Sequence, residues 1–172
     1  PVEPIDEPKT PNKFPKTLSE EEVEVLLGAE KSRDDWAGFR NYVMLLTFID
    51  TGMRLTEFRN ASLEDLDLEN HSIKVHGKGA KDRKVFFGKK TAKALHRWLR
   101  VRDNMGKVWD DTIFIDRKGN KMKERNVQRL ISRIQKRAGL EDTKVSCHVL
   151  RHTAATLAVK NGLNAFPLKQ QF

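Results

Sequence analysis

The sequence predicts a mostly helical α+β domain with a small three-stranded antiparallel sheet, and three observations predict it. Apolar residues recur at helical spacing in segment after segment, two short β-forming runs flank a glycine-lysine turn, and 38% apolar residues in a chain of 172 suffice for one buried core. Residues 1–17 hold five of the six prolines and no apolar periodicity, so they read as a linker or extended arm, with the domain expected over 18–172. A start at Pro1 rather than Met is what an excised piece would show. Ser19 and Glu22 form a capping-box pattern, and Val23, Leu26 and Leu27 give the first helix its apolar stripe. A second helix is expected over 34–49, through Phe39, Val43 and Leu46, before Thr51 and Gly52 turn the chain, and a short helix then opens over 53–59. After a turn-like stretch at 61–70, residues 72–76 and 83–87 are β-forming runs around Gly77, Lys78 and Gly79, a hairpin with a basic tip. Helical spacing returns over 91–105 through Ala94, Leu95, Trp98 and Val101, and the apolar run 112–115 is expected to supply the third, edge strand. Two further helices are expected over 124–138, with Val127, Leu130, Ile131 and Ile134 inward, and over 147–160, and a last one begins near Asn164.

Charge narrows the class of partner. Lys and Arg outnumber Asp and Glu by 33 to 24, but residues 1–30 carry a net charge of −5, which leaves +14 on residues 31–172. A body this cationic points to nucleic acid, because each phosphate neutralised by Lys or Arg releases condensed counterions. No apolar run is long enough for a membrane span and no secretory signal is visible, so a cytoplasmic protein without a membrane partner is expected. The single cysteine, Cys147, has no partner for an internal disulfide and falls in a periodic segment, so packing is its expected role.

Three segments could carry chemistry. In Thr51–Glu57, a glycine turn starts a helix and Arg54 and Glu57 lie three apart on one face, either as a helix-start ion pair or as a guanidinium aimed at phosphate with its carboxylate partner. In the hairpin, Lys74, Lys78, Lys81, Arg83, Lys84, Lys89 and Lys90 face one acidic residue, Asp82, which makes a cationic finger for phosphate or merely a solvated turn. In His148–His152, the positions i, i+3 and i+4 bring His148, Arg151 and His152 to one patch. Two histidines four apart can chelate zinc, but Val149 stands where a zinc protease needs Glu, and Arg151 would repel a dication, so no metal is expected.

The order of these segments, T-G-x-R-x-x-E, then G-K-G-x-K-x-R, then H-x-L-R-H, resembles the tyrosine recombinase (phage integrase) family, from about Thr17 to the end of the chain. The resemblance implies a catalytic domain for DNA strand cleavage and rejoining, in which a tyrosine attacks a backbone phosphate and leaves a 3′ phosphotyrosyl link. It implies Arg54, Lys78, His148 and Arg151 as catalytic residues, with Glu57 orienting Arg54 and His152 in a supporting, mainly structural role. It further implies double-stranded DNA as partner, self-association into a tetrameric synapse on DNA, and no cofactor. DNA contacts are expected from Lys81, Arg83, Lys84, Lys123, Arg125 and Arg129.

By the family's spacing the nucleophilic tyrosine falls about eleven positions past Phe172. Tyr42 is the single tyrosine here and lies among Val43, Met44, Leu45 and Leu46, where packing is its expected role. The chain therefore reads as a domain truncated before its nucleophile, expected to bind DNA without cleaving it and to expose an apolar patch around Leu163, Phe166 and Phe172. Two rival readings are a DNA-binding module without chemistry and a metal-dependent nuclease built on His148 and His152. A pure binding module has no need of two arginines, a lysine and a histidine at one phosphate, and a metal nuclease needs a carboxylate-rich pocket.

Overall fold

A computed structural model describes residues 16–77 and 82–162. In chain order the elements are α1 (Glu20–Lys31), α2 (Trp36–Thr51), α3 (Leu55–Asn60), β1 (Leu66–Asp67), β2 (Ser72–His76), β3 (Asp82–Phe86), α4 (Lys89–Asp103), α5 (Glu124–Arg137) and α6 (Cys147–Lys160). The expected class is borne out: helices dominate, and the three strands form one antiparallel sheet in the order β1-β2-β3. The helix expected near Asn164 and the apolar patch around Leu163, Phe166 and Phe172 lie outside the described residues.

Local chemistry sets the helix starts. Ser19 accepts the Glu22 N–H while Glu22 accepts the Ser19 N–H, closing the capping box ahead of α1. Asp35 caps α2 by accepting from the Gly38 N–H, and Ser146 caps α6 by accepting from Val149 N–H at 3.2 Å. The N-cap of α4 is Gly88, which has no side chain to offer. Asp50, near the end of α2, substitutes for it by accepting the Gly88 N–H at 2.8 Å and the Thr91 hydroxyl at 2.7 Å.

Helix α2 is the axis of the domain, since α1, α4 and α6 all pack against it. It has little solvent-facing surface to cover with charge, and Val43, Met44, Leu45 and Phe48 are completely buried. From α2 an aromatic ladder crosses the core: Phe48 stacks on Phe58 with ring centroids 3.9 Å apart, Phe58 on Phe114 at 4.9 Å, and Phe114 on Trp98 at 6.2 Å. The N-terminal half of α2 is fixed by a buried carboxylate. Glu30 of α1 accepts from Asn41 at 2.8 Å and from Arg137 Nε of α5 at 2.8 Å, tying three helices together. Beside it, burial lowers the Arg40 guanidinium to a pKa of about 10.

The third strand is not where the apolar run suggested. Residues 112–115 are buried, but they make only isolated bridges, Ser62 to Thr112 and Ile115 to Lys121, while Leu66–Asp67, inside the stretch read as a turn, pairs with β2. The reason lies in what the carbonyls of 112–115 accept. Arg102 Nε donates to Thr112, Trp98 Nε1 to Ile113 and Arg40 Nη1 to Ile115, at 3.2, 2.9 and 3.0 Å. Side chains from α2 and α4 thus satisfy this backbone, and it serves as a core plug instead of a sheet edge.

Cys147 is buried at the first position of α6, and desolvation pushes its thiol up to about 11, as suits packing. Because Phe58 links two rungs of the ladder at 2% exposure, Phe58→Ala is expected to destabilise the domain by about 3–5 kcal/mol, read from the urea unfolding midpoint at unchanged m.

Candidate active site

The junction of α2, α3 and α6 assembles the site. Helix α2 stops at Gly52, whose φ of 58° lies in the left-handed region that glycine adopts without a Cβ clash, and its N–H closes on the Phe48 carbonyl at 2.8 Å. The stop turns the chain so that Arg54 becomes the N-cap of α3 beside the end of α2. Glu57, three residues on, accepts the Arg54 backbone N–H through Oε2 at 2.8 Å and Arg54 Nη1 through Oε1 at 3.1 Å. A partner that sequence spacing did not suggest reaches the same carboxylate: Arg83 of β3 donates Nη1 to Oε1 at 2.7 Å and Nη2 to Oε2 at 3.0 Å. The Glu57 side chain is only 5% exposed, against 59% for Arg54. Burial is the largest single influence on its ionisation and opposes it. The hydrogen bonds from Arg83 and Arg54 and the charge of Arg83 together outweigh it, so the carboxyl lies below its ordinary range.

Arg151 arrives from α6 and donates Nη1 to the carbonyl of Gly52, so the residue that stops α2 also anchors the second arginine. Burial lowers the Arg151 pKa first, and repulsion from Arg54 lowers it further, with Glu57 opposing. Two guanidiniums close enough to repel, with one shared carboxylate, leave net positive charge at a partly exposed surface, which favours an anion with paired oxygens.

His148 and His152 extend this cluster one turn along α6. Their Nε2 atoms are 2.7 Å apart with the rings edge to face. One nitrogen must carry the proton and the other accept it, so this contact excludes double protonation of both rings. Burial, then the charges of His148 and Arg151, lowers the pKa of His152. Inward, α6 buries Val149, Leu150, Thr153 and Ala154, which fixes the opposite face toward the site. Among the described residues, no group of three or more His, Cys, Asp or Glu side chains is arranged to hold a metal ion.

Of the residues singled out from sequence, Arg54, Glu57, His148, Arg151 and His152 are thus gathered at one junction, while Lys78 and Lys81 lie outside the described residues. Lys84 is exposed on β3, Lys123 is exposed at the N-cap of α5, and Arg125 and Arg129 are exposed one turn apart on α5. Helix α5 turns Val127, Leu130, Ile131 and Ile134 into the core, and Arg59 of α3 steadies its start by donating Nε to the Met122 carbonyl at 2.7 Å. Arg83, expected at a DNA surface, has its guanidinium on Glu57 and a side chain 21% exposed.

The turn end of the β2–β3 hairpin carries a second unforeseen feature. His76 Nδ1 meets Asp82 Oδ1 at 2.9 Å and its Nε2 meets Asp65 Oδ1 at 3.0 Å, while Lys74 Nζ pairs with Asp82 Oδ2 at 2.9 Å. The clasp closes the two strands at the register pair His76–Asp82, next to Gly77. Its hydrogen bonds to Asp82 and then Asp65 raise the His76 pKa above the ordinary 6.5.

Fold and site together define a class: a helical domain that brings two arginines together at the end of α2, beside a small antiparallel sheet. Residues 16–171 match the Phage integrase family, and the chain belongs to that family of tyrosine recombinases. It is similar to tyrosine recombinase XerC of Corynebacterium efficiens, at 34% identity over 155 residues, 90% of this chain and 49% of that protein. XerC of Escherichia coli O157:H7 is 32% identical over 156 residues, 91% of this chain and 51% of that one. The chain therefore spans about half the length of the curated relatives it matches. Among solved structures, the XerA recombinase superposes with a TM-score of 0.82 at 32% identity, covering 94% of this chain and 57% of that one. The XerH site-specific recombinase, bound to a palindromic difH substrate in a post-cleavage complex, superposes at 0.78 and 28% identity, covering 93% and 46%.

The His76 clasp has a pH signature. The protonated ring holds both carboxylates, so its contribution is complete below pH 6.5 and is lost as pH rises through the raised value in the folded state. Amide exchange of β2 and β3, corrected for intrinsic rates, is expected to show falling protection above pH 6.5, and His76→Gln is expected to remove that pH dependence.

Proposed function

We propose that this chain supplies the phosphate-binding and proton-transfer groups of a site-specific DNA recombinase, working by strand cleavage and rejoining through a 3′ phosphotyrosyl intermediate. The observation that carries the reading is the convergence of Arg54 and Arg151 on the end of α2, where Arg151 reaches Gly52 across 99 residues of sequence. As a hydroxyl oxygen attacks phosphorus, charge grows on the two non-bridging oxygens, and two planar guanidiniums held in advance stabilise it without reorganisation. The P–O5′ bond breaks as the P–O(tyrosine) bond forms. Lys78 delivers a proton to the departing 5′ oxygen, His148 receives the tyrosine proton, and His152 fixes the His148 ring. Glu57 orients Arg54. The phosphotyrosyl bond retains the energy of the diester, so rejoining needs neither nucleotide nor metal.

Duplex DNA is the partner in this reading. Lys81, Lys84, Lys123, Arg125 and Arg129 contact its phosphates, and copies of the recombinase assemble on the DNA as a tetrameric synapse. The domain responsible runs over 18–172, preceded by the arm at 1–17, and the protein acts in the cytoplasm. Among the described residues no helix is long and apolar enough to cross a membrane, consistent with action on DNA.

Tyr42 does not serve as nucleophile. It is 8% exposed, stacks on Phe39, and sits ten residues before Gly52, about 15 Å along α2. In this reading the attacking tyrosine is therefore not Tyr42, the one tyrosine of the 172 residues.

Two measurements test the reading. Charge-reversing Lys84, Arg125 and Arg129 is expected to weaken duplex binding and flatten the slope of log affinity against log salt by about one per lost contact. An unchanged slope would place the DNA surface elsewhere. On a suicide DNA substrate, the 172-residue chain is expected to form no covalent adduct, whereas the full-length parent protein forms one at a rate that Arg54→Ala or Arg151→Ala lowers by about 100-fold or more. Adduct formed by the short chain and abolished by Tyr42→Phe would overturn the nucleophile assignment.

A further inference from the structure

We propose that Arg83 is a positioning residue for the anion site: it orients Glu57 and through it Arg54, coupling the hairpin strand β3 to the arginine pair. The proposal rests on the reading of Arg54 and Arg151 as phosphate ligands. It departs from the DNA contact that the basic hairpin sequence suggested for Arg83.

The stereochemistry of Glu57 is the first support. Among the described residues its two oxygens take four donors: Oε1 accepts from Arg54 Nη1 and Arg83 Nη1, and Oε2 from the Arg54 backbone N–H and Arg83 Nη2. Arg83 contributes the only two-point contact among these partners' side chains, and a two-point fork fixes the plane of a carboxylate where a single bond leaves it free to rotate. With that plane fixed, Oε1 faces Arg54 Nη1 and holds one corner of a guanidinium whose side chain is otherwise 59% exposed. Without the fork, the carboxylate that steers the Arg54 side chain would be anchored at one oxygen only, by the Arg54 backbone N–H.

The sheet supplies the second support. In the β2–β3 register Arg83 pairs with Val75, which is buried, and alternates with Val85, also buried, whereas the flanking Lys84 and Asp82 are exposed. Arg83 is therefore on the face of the sheet that packs on α3, and Lys84 is on the other. The two neighbouring cations have separate tasks by strand alternation alone. Lys84 can meet phosphate, while the charge of Arg83 is matched by a carboxylate 5% exposed. A shift of β3, as when DNA engages the hairpin, is transmitted to Arg54 through this fork.

Lysine at position 83 would keep the charge but replace the fork with a single point, which separates charge from orientation. The test uses the full-length parent protein, with single-turnover adduct formation at saturating DNA, duplex affinity as a function of salt, and thermal unfolding. Arg83→Lys is expected to leave affinity and salt slope unchanged and to lower the adduct rate about 10- to 100-fold, as misplacement of a catalytic group does. Glu57→Gln is a second variant that leaves both arginines in place, and the same loss is expected. The decisive measurement is the double-mutant cycle. In an Arg54→Ala background, Arg83→Lys is expected to cause no further loss, because its effect passes through Arg54. A salt slope lowered by about one, with an unchanged rate at saturation, would make Arg83 a phosphate contact and overturn the proposal. Equal loss in both backgrounds would overturn it as well, by showing that Arg83 acts independently. If Arg54→Ala alone left the adduct rate intact, the phosphate-site reading itself would fail and the proposal with it, an outcome distinct from the other two.

Discussion

The Glu57 carboxylate is the interaction on which the site depends. An ionised carboxylate withdrawn from water is costly unless its oxygens are matched by donors and charge, and here Arg54 and Arg83 do both. The dependence is mutual. Arg54 and Arg151 repel one another, while Glu57 offsets the charge of one and the Gly52 carbonyl engages the other. The positive charge of the site is thus assembled by the protein's own groups.

A second buried carboxylate plays the matching part at the far end of α2. Glu30 gathers Asn41 and Arg137 much as Glu57 gathers two arginines, and the aromatic ladder fills the core between these polar knots. Apolar packing alone gives stability but tolerates sliding of one helix along another, whereas a carboxylate with several directed donors admits one register. Helix α2 is thus held near its N-terminal end by Glu30 through Asn41, and at its C-terminal stop Arg151 donates to the Gly52 carbonyl. That matters because its C-terminal stop at Gly52 sets where Arg54 begins and what Arg151 grips.

How much of this was legible in the sequence follows from the range of the forces concerned. Helix starts were readable because a cap and its target lie within three residues, as at Ser19 and Glu22, and the patch of His148, Arg151 and His152 was readable because helical geometry dictates it. The Arg54–Glu57 pairing was readable for the same reason. The fork from Arg83 was not, since it spans 26 residues and needs the sheet face to be known. Residues 112–115 misled because a β-forming composition says only that a segment is buried and extended. Whether its carbonyls meet another strand or the side chains of Trp98, Arg102 and Arg40 is decided by tertiary packing. Strand β1 is two residues long and carries no alternation to detect.

The same distinction bears on how the net charge of +9 is to be read. Composition counts every arginine alike, but the structure divides them. Arg40, Arg59 and Arg102 direct guanidinium donors at backbone carbonyls, and Arg83 and Arg137 direct theirs at buried carboxylates. These five organise the protein. A guanidinium already matched by internal acceptors gathers few counterions that a polyanion could displace. The other cations are mostly exposed and are spread over α4, α5, the solvent face of β3 and the loop between α4 and α5. Arginine suits both uses for one reason: a planar fork that can match a carboxylate can equally match a phosphate, so which anion it meets is settled by which side of a strand or helix carries it.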